Sequence, residues 1–257
     1  MTFSDWVHGT RHRIQNQPPR TALKYSVREF LEGGRSRLAL LVHARRGWTS
    51  STLAGESVRF DVREPVDVRR ALTLLNEENV LEWLLTDASS DCRFWDVGGY
   101  HGHYSIVAAA KGCDVVTFEP DDDNRARVGV NATLNGADLE IRECALSDRS
   151  TMKLFGGDVG SELRIHDEGE RTIETRRGDD LEPSPDLVKI DVEGHELEVL
   201  SGMWDTLDAV QRIAVEVHAE DDVPLVEFAL EARGFESEKI DTPRSQTYIG
   251  GERRGES

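Results

Sequence analysis

Three short stretches carry residue types at spacings suited to chemistry. The first is Asp96-Val97-Gly98-Gly99-Tyr100-His101-Gly102, between a short apolar run and a helical pattern. Glycines at a strand-to-helix junction turn the chain tightly and let backbone approach a ligand closely. The helix that follows offers free N–H groups at its start. Asp96 adds a carboxylate at the strand end, suited to the ammonium of an amino-acid-like ligand. A strict G-x-G-x-x-G is absent, because Tyr100 holds the second glycine's place. That argues against a nicotinamide cofactor. His101 and His103, inside this turn, read as solvent-facing.

The second stretch is Glu119-Pro120, at the end of the next apolar run. A carboxylate has two acceptor oxygens, enough for both hydroxyls of a ribose. This points to an adenosine ligand without a 2′-phosphate. The third is Lys189-Ile190-Asp191-Val192-Glu193-Gly194-His195-Glu196, joined by Glu216-Val217-His218 further on. In open α/β sheets the ligand crevice lies beyond the carboxyl ends of the strands. Asp191, Glu193 and His195 should therefore share a rim with Gly98 and Glu119, and strand alternation puts Glu216 and His218 on one face. His195 or His218 titrates near neutrality and could act as general base toward a nucleophile. The carboxylates could orient that base or bind a divalent cation. The plainer reading makes Glu193 and Glu196 helix-start acids favoured by the dipole, with His195 a neighbour of the cap.

Strand–helix alternation from Arg93 onward positions these stretches and marks a parallel sheet. Strands are expected at Phe94–Val97, Val115–Phe118, Leu139–Arg142, Leu187–Val192 and Ile213–Val217. Helices are expected over His103–Lys111, Asp121–Asn135, His195–Met203 and around Leu225–Ala232, with Gly112, Gly136 and Gly234 as C-terminal stops. Thr151–Phe155 and Thr172–Arg176 read as short strands around a Gly-rich loop, Gly156–Ser161, and Ser237–Ile240 with Thr247–Ile249 as a final hairpin. Before this, the pattern suggests two short helices between Thr21 and Arg46, a strand at Ser57–Val62 and a helix over Val66–Thr86.

Composition narrows the field. With 257 residues the chain holds one α/β domain and an extension, or two small domains. The net charge of −18 argues against general affinity for nucleic acid. Only five lysines stand beside 26 arginines, a composition that resembles proteins from high-salt cytoplasm, where screening relieves self-repulsion. Residues 1–50 hold nine basic and three acidic residues, a net +6, and the remainder, with 22 basic and 46 acidic, nets −24. The basic stretch over residues 11–46 reads as a face docked on the acidic body, or as contact with an anionic substrate or membrane surface. The apolar run Leu38–Val42 is too short for a membrane span. Cys92, Cys113 and Cys144 are scattered and read as small buried side chains, not a disulfide framework. These features point to a cytoplasmic protein.

Taken in order, the stretches resemble the FkbM family of methyltransferases. The likeness covers about Phe94 to Val217 and rests on Asp96-Val97-Gly98-Gly99, Phe118-Glu119-Pro120, Asn131, Leu134-Asn135, Ala145-Leu146-Ser147, the Lys189–Glu196 block, Val199-Leu200, Gly202 and Val215-Glu216-Val217. It implies a Rossmann-like class I methyltransferase fold, α/β, with a seven-stranded mixed sheet, helices on both faces and a helical N-terminal extension. It also implies methyl transfer from S-adenosyl-L-methionine, usually to oxygen. On that likeness Asp96, Gly98, Gly99, Gly102 and Asp191 would contact the cofactor, Glu119 its ribose and Ala145 its adenine. Asp191, Glu193, His195, Glu216 and His218 would orient the acceptor or move its proton. The acceptor would be a small molecule or glycan, by preference a sugar hydroxyl or a sugar-acid carboxyl. The family often has Ala-Asn where this chain has Gly99-Tyr100. Residues 1–85 read as a basic, mainly helical extension, 86–250 as the cofactor domain and 251–257 as a disordered tail. Two other readings are a metal-dependent hydrolase built on the same five acid and histidine residues, and a binding module that has lost its chemistry.

Overall fold

The computed structural model describes residues 47–62, 76–156, 164–165, 171–243 and 246–253. The helices expected between Thr21 and Arg46, the basic stretch 11–46, the first part of the helix expected over Val66–Thr86 and most of the Gly-rich loop lie outside the described residues. The described residues 50–61 and 76–253 belong to one compact unit.

The elements run β1 (Trp48–Leu53), β2 (Glu56–Asp61), α1 (Glu78–Leu84), β3 (Arg93–Val97), α2 (His103–Ala110), β4 (Asp114–Phe118), α3 (Asp122–Asn135), β5 (Glu140–Arg142) and β6 (Ala145–Leu146). Then follow β7 (Thr151–Gly156), β8 (Arg164–Ile165), β9 (Arg171–Arg176), β10 (Leu187–Ile190), α4 (Glu196–Gly202), β11 (Arg212–Val217), α5 (Val223–Ala232), β12 (Phe235–Ile240) and β13 (Thr247–Arg253). The main sheet has seven strands in the order β12-β13-β11-β10-β3-β4-β5. Its strands are parallel except β13, which runs antiparallel to β11 and β12. This is the expected mixed sheet. A second sheet, β6-β9-β7-β8, includes the two short strands expected around the Gly-rich loop, while β1, β6 and β8 carry too little periodicity to be seen in sequence. β13 continues through Arg253, into the expected tail. No helix among the described residues is long and apolar enough to cross a membrane.

Alternation along the strands sorts the side chains into two layers. Phe94, Val115, Leu187, Ala214 and Tyr248 pack in one core with Val80, Leu81 and Leu84 of α1 and Ile106 and Val107 of α2. Trp95, Val97, Val116, Phe118, Val188, Ile190, Ile213, Val215 and Ile249 pack in the other with Val199 and Leu200 of α4 and Val226 and Leu230 of α5. Each fully buried large apolar side chain contributes about 1.5–3 kcal/mol.

Toward the carboxyl ends, the α1/α2 layer turns polar. The same alternation that buries Phe94 brings up Asp96, and likewise Thr117 and Glu119 after Val115, Lys189 and Asp191 after Leu187, and Glu216 and His218 after Ala214. Register sets these in a row, with Asp96 opposite Thr117 on one side and Lys189 on the other.

Helix ends follow local chemistry. Asp121 caps α3 by accepting from Asn124 N at 3.0 Å, and Gly136 closes it at φ 61°. Asn131 of α3 accepts from Asp61 N of β2 at 2.8 Å and donates to the His101 carbonyl at 2.8 Å, tying the strand pair to the glycine turn.

Candidate functional site

The glycine turn is shaped by its own chain more than by room for a ligand. A Cβ on Gly98 would lie 1.8 Å from the Asp191 carbonyl oxygen, and one on Gly99 would lie 2.1 Å from Thr117 Cγ2. Gly98 takes φ +81° and Gly102 φ +75°. The close approach expected toward a ligand is therefore first an approach of the β3 turn to the end of β10. Tyr100 also has a positive φ, at 50°. The rest of the turn holds it there: its N–H donates to Glu119 Oε2 at 2.7 Å, and its ring stacks on His101 with centroids 3.7 Å apart. His101 is buried, not solvent-facing, because Tyr100 covers it.

Asp96 is buried beneath this turn and accepts from Ser105 N at 3.1 Å and Ser105 Oγ at 2.5 Å. The same hydroxyl lies 2.6 Å from Thr117 Oγ1. The carboxylate thus anchors the first turn of α2 to the sheet, and burial raises its pKa. Glu119, also buried, accepts from Tyr100 N on one oxygen and from Asp121 N at 2.9 Å on the other. Burial pushes it up to about 7, against the pull of those two N–H groups.

At the β10 and β11 ends, side chains and their charges dominate. Lys189 is buried, donates to Asp191 Oδ2 at 2.8 Å and lies over the Tyr104 ring at 4.7 Å. Burial alone would lower its pKa, but Asp191, Glu216 and Asp96 outweigh it and raise it. Burial likewise opposes charge on Asp191, yet Lys189 and His218 hold that carboxyl below its usual range. Glu216 accepts from Tyr248 OH at 2.5 Å. Burial, then the Asp191 charge, pushes it up to about 8.

His218 sits among four acids. Its Nδ1 is 2.8 Å from Glu196 Oε1, and its Nε2 lies 3.2 Å from Glu193 Oε2, 3.7 Å from Asp191 Oδ1 and 3.9 Å from Glu216 Oε1. Burial opposes its charge, but the bond to Glu196 and the Asp191 and Glu193 carboxylates push it up to about 9. Glu196 is more than a helix-start acid. Its buried carboxylate turns back to accept from Gly194 N at 2.9 Å and to hold the imidazole.

The other histidine takes a different place. His195 Nε2 is 2.9 Å from the fully buried Ser147 Oγ, which also accepts from Lys153 Nζ at 2.7 Å. Burial lowers its pKa. Its Nδ1 lies 3.5 Å from Glu198 Oε2. Ala145 lies two residues before Ser147 on β6, paired with Thr175. The sequence reading did not single out Ser105, Thr117, Tyr104 or Tyr248. Tyr248 joins the site through its register opposite Glu216, which only strand pairing reveals.

Gly98, Glu119 and Asp191 therefore meet along one edge, as the sequence expected. Residues 96–237 match the Methyltransferase FkbM domain. The chain belongs to the FkbM methyltransferase family. It is also 31% identical over 227 residues to the hexuronic acid methyltransferase AglP of Haloferax volcanii, covering 85% of this chain and 95% of that one. Among solved structures the likeness is distant. Magnesium protoporphyrin IX methyltransferase from Synechocystis PCC 6803 gives a TM-score of 0.47 at 15% identity, over 74% of this chain and 83% of that one. A ribosomal protein L11 methylase from Lactobacillus delbrueckii subsp. bulgaricus gives 0.46 at 18% identity, over 71% and 78%. This FkbM protein is an S-adenosyl-L-methionine-dependent methyltransferase of the class I α/β fold.

Proposed function

We propose that this enzyme transfers a methyl group to an oxygen of a hexuronic acid within a glycan or lipid-linked glycan. The similarity to AglP across most of both chains supports the acceptor class. The observation that carries the site reading is the polar row on the α1/α2 layer, from Glu119 through Asp96 and Asp191 to His218.

When bound, S-adenosyl-L-methionine supplies an electrophilic methyl on a positively charged sulfur. The donor set fits that cofactor. Glu119 is a buried carboxylate whose two oxygens each keep acceptor capacity beyond one backbone N–H, room for the two ribose hydroxyls. Gly98, Gly99 and Gly102 shape the turn over which the amino-acid end would lie, and Asp96 holds that turn on α2. Asp191 would face the cofactor's positive end. Ala145, with its neighbour Ser147 tied to His195, would form the adenine side.

Asp191, Glu193, Glu216 and His218 then face the acceptor, and His195 becomes a positioning residue. Where the accepting oxygen is the carboxylate, no strong base is needed, because that group is ionised at neutral pH. Alignment for in-line attack is the larger task. The enzyme would work in the cytoplasm, in keeping with its three free cysteines and short apolar runs. Incubating the enzyme with labelled S-adenosyl-L-methionine and hexuronic-acid-containing glycans, with products read by mass spectrometry, tests this. Labelled hexuronic acid is the expected product. Cofactor binding with label only on neutral sugars would overturn the acceptor.

A further inference from the structure

We propose that Asp191, Glu193 and His218 form a divalent-cation site that receives the acid group of the acceptor. The receiving role rests on the acceptor class proposed above; the site itself rests on geometry. One donor atom from each of the three residues lies within 4.8 Å of the other two. Glu193 Oε2 and Asp191 Oδ1 are 3.2 Å and 3.7 Å from the same imidazole nitrogen, Nε2. Two carboxylate oxygens and one imidazole nitrogen are donors that Mn²⁺ or Mg²⁺ accepts.

The far side of the imidazole separates this cluster from an ordinary acidic patch. Nδ1 is bonded at 2.8 Å to Glu196, whose side chain is only 1% exposed. Glu196 is itself held by the N–H of Gly194. A buried carboxylate on the distal nitrogen fixes the ring and aims Nε2 at a metal. Here it aims Nε2 at the two outer acids.

The cation also resolves an electrostatic conflict. A sugar acid brings a negative charge to a rim already lined by Asp191 and Glu193, and like charges at close range disfavour binding. Lys189 does not relieve this, since it is buried and committed to Asp191. A cation bridging the two carboxylates to the acceptor's acid group would turn repulsion into attraction and fix the acceptor's orientation.

The test uses chelator-treated full-length protein titrated with Mn²⁺, without cofactor or acceptor, following the loss of the free-ion electron paramagnetic resonance signal. One Mn²⁺ per chain is expected. Glu193→Gln and His218→Gln should each weaken it by about tenfold or more, and Glu196→Gln by roughly tenfold to a hundredfold. A wild-type circular dichroism spectrum and cooperative thermal unfolding would show that a variant is folded; should His218→Gln fail that check, Glu193→Gln carries the test. No saturable Mn²⁺ binding, or wild-type binding by folded Glu193→Gln, overturns the site. Transfer to hexuronic acid undiminished by EDTA overturns the receiving role and leaves the acceptor standing. Mn²⁺ binding without transfer to any hexuronic acid overturns the acceptor and leaves the site standing.

Discussion

The two halves of the rim are built on different physics. At the β3–β4 edge, backbone packs on backbone, and the glycines exist because a single methyl group would collide with Asp191 or Thr117. At the β10–β11 edge charge decides: one lysine and one histidine are held among five acids, Asp96, Asp191, Glu193, Glu196 and Glu216. The first edge should be brittle to shape and tolerant of salt. The second should be tolerant of shape and sensitive to charge. The two histidines repeat the contrast. His195 is buried, lowered in pKa and tied to a serine hydroxyl, while His218 is charged and tied to carboxylates.

Gly98→Ala attacks the first edge most directly. Overpacking against Asp191, added to the positive φ, should cost about 3 kcal/mol or more in urea unfolding. A loss near zero would mean that the turn and the end of β10 are not pressed together.

Glu119→Ala should come next. Removing the proposed ribose acceptor should weaken cofactor binding by about 1.5–3 kcal/mol, roughly tenfold to a hundredfold in Kd by calorimetry. The raised pKa adds a sign. Between 4.5 and about 7 the folded carboxyl keeps a proton that the unfolded chain has lost. Stability of the free enzyme should therefore fall as pH rises through that window, while cofactor affinity rises through it as hydroxyl donors favour the ionised form. Glu119→Gln should flatten both slopes in paired thermal and binding titrations.

Ser147→Ala probes the other histidine, His195. It removes the shared partner of His195 and Lys153, and should cost about 1–3 kcal/mol in stability. Cofactor affinity should fall less than in Glu119→Ala. An equal or larger fall would make His195 part of the binding surface. The smallest effect belongs to neither edge. Gly129 lies within α3 with nothing within 4 Å of a Cβ. Gly129→Ala should stabilise by about 0.5–1 kcal/mol with turnover unchanged.

Much of the fold was legible because its signals are local. Alternation marked the β3, β4, β10 and β11 strands, and Asp121 and Gly136 bracketed α3 within a residue or so. The short β6 and β8 escaped, since two residues carry no periodicity. In the site, Gly98, Glu119 and Asp191 were placed on one edge by strand order alone. Glu196 was underrated because a helix-start acid and a buried imidazole partner look alike in sequence. What distinguishes them is a contact 22 residues away.

By itself, the amino-acid order determined which side chains reach the carboxyl rim and on which layer of the sheet, because strand period and glycine turns are properties of neighbouring residues. Only the tertiary structure decided what each group does there. His195 and His218 are the same residue type near the same rim, yet burial shifts the imidazole beside Ser147 down while Glu196, Asp191 and Glu193 shift the other up. Burial and partner charge set a side chain's chemistry, and both are consequences of long-range packing.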